Sequence, residues 1–381
     1  MLNKSISLDA LKKNGVTYTP NNEFYRLDKQ GFLPEMMERM YAERKKFKKD
    51  MLKAQQELET ETDGLDRLRL IKEVSRLNNM QMARKIQLNS AYGALANQWF
   101  AFFSVDLAEA ITTSGQLIIQ WGEKIINEWL NQVLKTEGKD YVVAIDTDSL
   151  YITLDDLVNQ VFPEDTPKTK IIDFLNTISE DTIEPVLARG YDHLAQNSNA
   201  FQQKMEMGRE VIADRGIWTA KKHYILNVHN SEGVQYDEPK LKIMGIEAVK
   251  SSTPEPCRNA LKEAFKIMMN GTEDDVINYI EDFKTKFKTL PAEEVSFPRS
   301  VKGLAKYYDS ASIYQKSTPI HVKGSLIYNK ILQNKRLTRK YPKIQEGEKI
   351  KFAYLKEPNP TGDTVIAMLN ALPDEFELKP Y

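Results

Sequence analysis

The first 33 residues mix short apolar pieces with breakers at Gly15, Pro20, Asn21 and Asn22, and Gly31-Phe32-Leu33-Pro34 closes the stretch. This spacing predicts short strands and turns. From Pro34 the pattern changes. No Pro or Gly interrupts residues 35–63, Pro34 suits a first helical turn, and Glu35 and Glu38 place acid near it. An acidic break at Glu59–Gly64 precedes a second helical run from Asp66 to Leu95. Two such runs joined by a short turn predict an antiparallel helical hairpin, each arm roughly 40 Å long at ~1.5 Å per residue. A third helix is expected from Ser104 to Leu134, with apolar positions at Leu107, Ile111, Ile118, Trp121, Ile125 and Leu130. Gly138 sits in the polar break that ends it. Tyr141–Leu154 then reads as strand–turn–strand, with carboxylates at the tip. Residues 155–200 read as helical, and residues 211–250 as short strands with turns.

Composition narrows the class. At 381 residues the chain is too long for one core to serve all of it. With 41% hydrophobic and 28% charged residues it is a globular chain, not a disordered one. A lone cysteine, Cys257, excludes an internal disulfide and any multi-cysteine metal site, and reads as a small core residue. The N-terminus has no signal-peptide apolar region and no stretch is long enough for a membrane span, so a cytoplasmic protein is expected. The net charge is only −1, but segment 299–351 holds 13 Lys and Arg against three acids. That local charge suits a polyanion, although a solvated basic face shows the same count.

Four constellations carry candidate chemistry. Asp146-Thr147-Asp148 puts two carboxylates at a turn, where they suit a hard divalent cation; an ordinary Asp-rich turn has the same residues. Lys85, Asn89 and Tyr92 share one face of the second long helix, with Gly93 beside them. A cation, an amide and an aromatic on one face suit a nucleoside triphosphate; a surface Lys beside a core-facing Tyr is the plainer alternative. Arg44 and Lys48 share a face within Arg44-Lys45-Lys46-Phe47-Lys48-Lys49 on the first helix. Placed opposite Lys85 they would clamp a triphosphate, and a solvated cationic stripe is the other reading. Lys221-Lys222-His223-Tyr224 on an expected strand suits a nucleic-acid backbone, or is an edge strand with ordinary lysines.

Taken in order, these segments resemble the C-terminal half of family B DNA polymerases, most nearly the replicative polymerases of large tailed bacteriophages. Lys85–Phe100 (KIQLNSAYGALANQWF) resembles motif B, Asp146–Tyr151 (DTDSLY) motif C, and Lys221–Tyr224 (KKHY) the KKxY motif. Pro239–Pro254 resembles the palm-to-thumb crossing and His321–Asn329 the thumb signature. The resemblance implies an α+β right hand: a palm remnant at 1–33, helical-hairpin fingers at 34–98, an antiparallel-sheet palm at 99–245, and a mostly helical thumb at 246–381. It assigns Asp148 and Asp146 to catalysis and to two Mg²⁺ ions (with Mn²⁺ as a substitute), with Glu210 nearby. It assigns Arg44, Lys48, Lys85, Asn89, Tyr92 and Gly93 to the incoming dNTP. It assigns Thr147, Lys221, Lys222, Tyr224, Lys242, Lys250, His321 and Lys323 to primer–template DNA.

Three departures from the family pattern stand out. Residues 1–33 contain no motif A of the D-x-x-S-L-Y-P type, no exonuclease domain precedes them, and Lys379-Pro380-Tyr381 shows no clamp-binding tail. Two-metal phosphoryl transfer needs carboxylates on both sides of the metal pair. The expectation is therefore a split polymerase, inactive or nearly so alone, whose N-terminal partner chain brings the exonuclease and motif A; a sliding clamp is left open as a partner, with no tail motif to mark it. For a viral protein the setting would be the host cytoplasm. A non-catalytic DNA-binding or assembly subunit is the competing reading.

Overall fold

A computed structural model describes residues 7–380. The chain divides into two compact units: one runs to Asp214 and includes Val228–Lys240, the other comprises Arg215–Asn227 and Leu241 onward.

The first unit opens with α1 (Leu8–Asn14) and the paired strands β1 (Val16–Tyr18) and β2 (Phe24–Arg26). The short helix was not expected from the sequence. Ser7 caps it through Ala10 N–H, and Gly15 ends it at a left-handed φ of 60°. Two long helices follow, α2 (Phe32–Thr60) and α3 (Gly64–Leu95), then α4 (Val105–Leu134). Helix α2 starts two residues before Pro34, capped by the Gly31 backbone. The α2–α3 connection is made by side chains. Asp63 accepts from Leu65 and Asp66 N–H, and Arg67 donates to the carbonyls of Leu58 and Glu61. Only Met51, Ala54, Leu77, Gln81 and Leu95 are buried along the two helices. Burying one Leu side chain is worth roughly 1.5–3 kcal/mol, so a hairpin with so few such residues is held thinly for its length.

The denser core of this unit lies under α4. Ile126, Leu130 and Leu134 pack with Tyr141, Val142, Leu157, Ile183, Leu187 and Tyr191. Tyr141 leads into β3 (Val142–Asp146), which β4 (Ser149–Ile152) pairs; Leu157 is on α5 (Asp155–Val161), Leu187 and Tyr191 on α7 (Glu184–Asn197), and Ile183 ends the π-helical turn, Ser179–Ile183, through which α6 (Lys168–Ile178) runs into α7. Gly122 lets α4 approach α7 closely: a Cβ there would stand 2.7 Å from the Tyr191 hydroxyl.

A three-stranded sheet of β5 (Val211–Ala220), β6 (His223–Ser231) and β7 (Val234–Met244) follows in the order β5-β6-β7. One end of each strand is counted in each unit.

The second unit continues through α8 (Glu255–Asn270), α9 (Glu273–Phe287), α10 (Ala292–Val295), β8 (Phe297–Ser300), α11 (Leu304–Tyr307), β9 (Tyr308–Asp309), β10 (Ile313–Tyr314), α12 (Ile320–Asn334), β11 (Lys349–Tyr354) and β12 (Val365–Met368). It is less helical than expected. Its core is α12 laid on the sheet β12-β11-β8, with Val322, Ile327, Leu332, Ile350, Val365, Ile366 and Ala367 at 2% exposure or less. Strand β8 lies some fifty residues from its partner β11, so no local period announces that pairing.

Candidate functional site

The Asp-Thr-Asp turn is positioned from below by two asparagines of α4. Asn127 accepts from Tyr141 N–H at 2.8 Å and donates to Asp140, while Asn131 binds Lys139 through both its backbone N–H and its carbonyl. These bonds fix where β3 leaves the helix. Strand β3 carries a register shift between Val142 and Ala144, the β-bulge arrangement that re-aims a strand end. Asp146 pairs with Ser149, leaving Thr147 and Asp148 as the tip. Thr147 has φ 58°, an unfavourable conformation for a β-branched residue that costs of order 1–3 kcal/mol. Its hydroxyl donates to Asp146 Oδ1 at 3.0 Å, and Asp148 N–H and Ser149 Oγ both donate to the Asp146 carbonyl. Asp146 is half-buried and Asp148 exposed. Two carboxylates on a tight turn, the second facing solvent, are a hard-oxygen donor set that suits a divalent ion such as Mg²⁺. Among the described residues no three of His, Cys, Asp and Glu gather as a metal site, so Glu210 does not join the two aspartates in one cluster.

Glu210 follows a residue that the sequence reading missed. The Arg209 side chain, 9% exposed, donates to Asn230 Oδ1 at 2.7 Å, binds Asn176, and lies 3.6 Å from Glu180; its backbone N–H donates to Glu184. Burial pulls its pKa down, and Glu180, Glu184 and Glu232 oppose that. Arg209 thus anchors the segment that carries Glu210 to α6, α7 and β6. Nothing local in the sequence marks it.

On the helical hairpin, Lys85, Asn89 and Tyr92 are all exposed along one face of α3. A Cβ on Gly93 would meet nothing within 4 Å, so that backbone is open to approach. The Nε of Arg44, on α2, is buried without a hydrogen-bond partner. Lys48 is ion-paired with Glu232. Arg84, which the sequence reading passed over, binds Glu43 at 2.6 Å and ties α3 to α2 next to Lys85. Beyond α3 the loop to α4 exposes aromatics: Trp99 is 85% exposed, and Phe102 lies edge-on to Phe32 with ring centroids 4.8 Å apart.

In the second unit Lys221 and Lys222 are exposed at the two-residue connection of β5 and β6, at a turn where a strand was expected. Lys222 has φ 62°, and Gly245 packs so closely beneath that a Cβ there would stand 2.2 Å from the Lys222 carbonyl. Tyr224 is buried, its ring 6.2 Å from that of Trp218. Lys242 lies half-buried on β7, and Lys250 binds Glu247 at 2.6 Å. His321 and Lys323 belong to the first turns of α12, whose next residues form the core. Burial, with Arg299 adding to it, pushes the His321 pKa down. Lys323 lies 3.0 Å from Asp363 and over the Tyr314 ring. Burial works against its charge, yet bonds to Tyr314 and Asp363 outweigh this and raise its pKa. The basic segment 299–351 is therefore partly neutralised: Asp363 takes Lys323 and Glu375 takes Lys340.

Comparison with known proteins bears on the first unit most directly. The profile of DNA polymerase family B matches residues 2–161. The chain is 34% identical over 395 residues to a DNA-directed DNA polymerase of Escherichia phage RB69, covering 92% of this chain and 43% of that protein. It is 34% identical over 302 residues to the DNA-directed DNA polymerase of Enterobacteria phage T4, covering 76% of this chain and 33% of that protein. A DNA polymerase of Desulfurococcus sp. is 23% identical over 386 residues. The chain spans less than half the length of these curated relatives.

Proposed function

Residues 2–161 belong to DNA polymerase family B and the chain is similar to phage members of it; on that premise we propose that the chain forms the C-terminal part of a DNA-directed DNA polymerase, which adds dNTPs to a primer 3′-OH. The observation that carries this reading is the Asp146–Thr147–Asp148 turn, which lies inside the matched segment and presents Asp148 to solvent.

Asp148 and Asp146 would hold Mg²⁺, which when bound neutralises the transferred phosphate and makes the primer hydroxyl a better nucleophile. The chain's own groups do the rest. Lys85, Lys48 and Arg44 supply positive charge to the triphosphate, and a cation there stabilises the charge spread over the phosphate oxygens in the transition state. Asn89 offers an amide at the same face. Tyr92 and the open backbone at Gly93 give a flat surface for the new base pair. Lys221 and Lys222 at their hairpin tip, with Lys242 and Lys250, suit the sugar–phosphate backbone, where contacts position the duplex without reading it. Tyr224, buried in β6, serves that tip by packing.

Two aspartates are half of the carboxylate set that a two-metal site needs. In this reading the rest comes from outside residues 1–381, on a polypeptide that carries a motif A and an exonuclease. The β3–β4 pair fits such completion, since among the described residues its sheet has two strands and Val143 is 52% exposed on it.

Primer extension with Mg²⁺, with this chain alone and mixed with a motif-A polypeptide, tests the reading. Extension in the mixture and little or none alone is the expected result. Full activity alone removes the need for a partner. No extension in either, with tight and salt-dependent duplex binding, transfers the case to a non-catalytic DNA-binding subunit.

A further inference from the structure

Glu232 sits at the β6–β7 turn, with φ 51° at Glu232 and 88° at Gly233. Its backbone N–H donates to the Glu210 carbonyl at 2.7 Å. Its carboxylate holds Lys48. One residue therefore touches both the Glu210 segment and Lys48, a cation given above a role at the triphosphate.

The pair is not isolated. Lys204 binds Glu38 at 2.9 Å, Glu206 binds Lys45 at 2.6 Å, Gln56 donates to the Gly233 carbonyl at 3.1 Å, and Lys240 binds Glu59 at 2.9 Å. All belong to the first unit. At 3.6 residues per turn, positions 38, 45, 48, 56 and 59 fall in a stripe about 80° wide on α2. The stripe is distinct from that of Met51 and Ala54, the buried residues of the helix. A polar seam thus runs along α2, and Lys48 lies within it.

We propose that Glu232 is a positioning residue that parks Lys48 until a nucleoside triphosphate arrives, when Lys48 exchanges the carboxylate for phosphate oxygens. The inference rests on the nucleotide role of Lys48 given above. The side chains of Lys48 and Glu232 are 34% and 24% exposed, so the pair is open to water and salt, and such pairs are weak enough to be exchanged. A triphosphate carries more negative charge than one carboxylate and offers more acceptors, so exchange runs toward the nucleotide. Loss of the Lys48 contact releases α2 at one point of its seam, while the Glu232 backbone bond to Glu210 stays in place.

The test is equilibrium binding of magnesium–dATP to the intact chain, in wild type, Glu232→Gln, Glu232→Asp, Lys48→Ala and the Glu232→Gln/Lys48→Ala double variant. Glu232→Gln should tighten binding about three- to fivefold, Glu232→Asp should stay near wild type, and Lys48→Ala should weaken it. The double variant should match Lys48→Ala alone, because removing Lys48 leaves nothing to park. Unchanged affinity in Glu232→Gln with weakened binding in Lys48→Ala overturns the parking role and leaves the nucleotide role of Lys48 standing. Unchanged affinity in both, or no measurable binding in any variant, overturns both. Without nucleotide, amide hydrogen exchange across Lys45–Gln56 should rise several-fold in Glu232→Gln, and an unchanged profile there also overturns the proposal.

Discussion

Thr147 holds a left-handed backbone between two aspartates, and the strain falls where a cation would be gripped. Such outliers persist where surrounding bonds over-determine them, as the Asp146 carbonyl does by accepting from both Asp148 N–H and Ser149 Oγ. Replacing Asp148 by Ala in an active assembly should lower kcat by more than about 10³-fold, some ~4 kcal/mol of transition-state stabilisation, with duplex affinity within twofold of wild type. Lys85→Ala should instead act on nucleotide use, raising KM for dNTP about tenfold, because in the proposed roles it removes a charge contact and leaves Asp146 and Asp148 in place. Steady-state kinetics beside a duplex-binding isotherm separate the two, and a parallel loss of duplex affinity in both would contradict these roles. The placement of the two aspartates at a turn was legible because its pattern is local, polar residues between two apolar strands. Arg209 and Glu232 were not, since what each does depends on partners far away in sequence: Glu232 and Lys48 are 184 positions apart.

At the level of elements, the long helices were legible because uninterrupted runs and strong caps mark them. Asp63 and Ser104 each cap a helix that begins at the next residue. The seven-residue α1 was too short for its period to show. The sheet under α12 escaped because β8 reaches its partner β11 only across some fifty residues, Ser300 standing opposite Lys349. The turn between β5 and β6 depends on Gly245. Gly245→Ala must move the Lys222 carbonyl or the strand below, in a backbone of φ 69° that Ala adopts poorly. Its cost should be about 3 kcal/mol or more, read as a lower urea midpoint. At the C-terminal end, Glu375 binds Lys340 and accepts from Tyr341. The Lys340 bond holds Glu375 down to about 2 from an ordinary 4.5, and Glu375 raises Lys340 from 10.5 to about 12. A lowered acid stabilises above its unfolded pKa and loses that contribution as pH falls through its folded one. The pair's acid arm should therefore be intact above about pH 4.5 and fade toward pH 2, and its basic arm should fade as pH rises from 10.5 toward 12. Both groups are solvent-exposed, so the effect is small. Urea midpoints of wild type and Glu375→Gln should differ at pH 7 and converge as pH approaches 2.

Across the whole molecule, the two units differ in how their cores are made. The first spreads apolar contact thinly over long helices and concentrates it under α4, whereas the second gathers it between α12 and a sheet. No helix among the described residues is long and apolar enough to cross a membrane. The chain has four tryptophans, and their surroundings differ sharply. Trp121 and Trp129 pack against the α4 core and Trp218 is 37% exposed, while Trp99 stands 85% exposed on the loop after α3. An indole in water emits at longer wavelength than one covered by protein. Trp99 is therefore a built-in optical gauge: as the most water-exposed of the four indoles it has the most blue shift to give when another molecule covers that loop, and a Trp218→Phe variant leaves its signal the clearer, without any label attached.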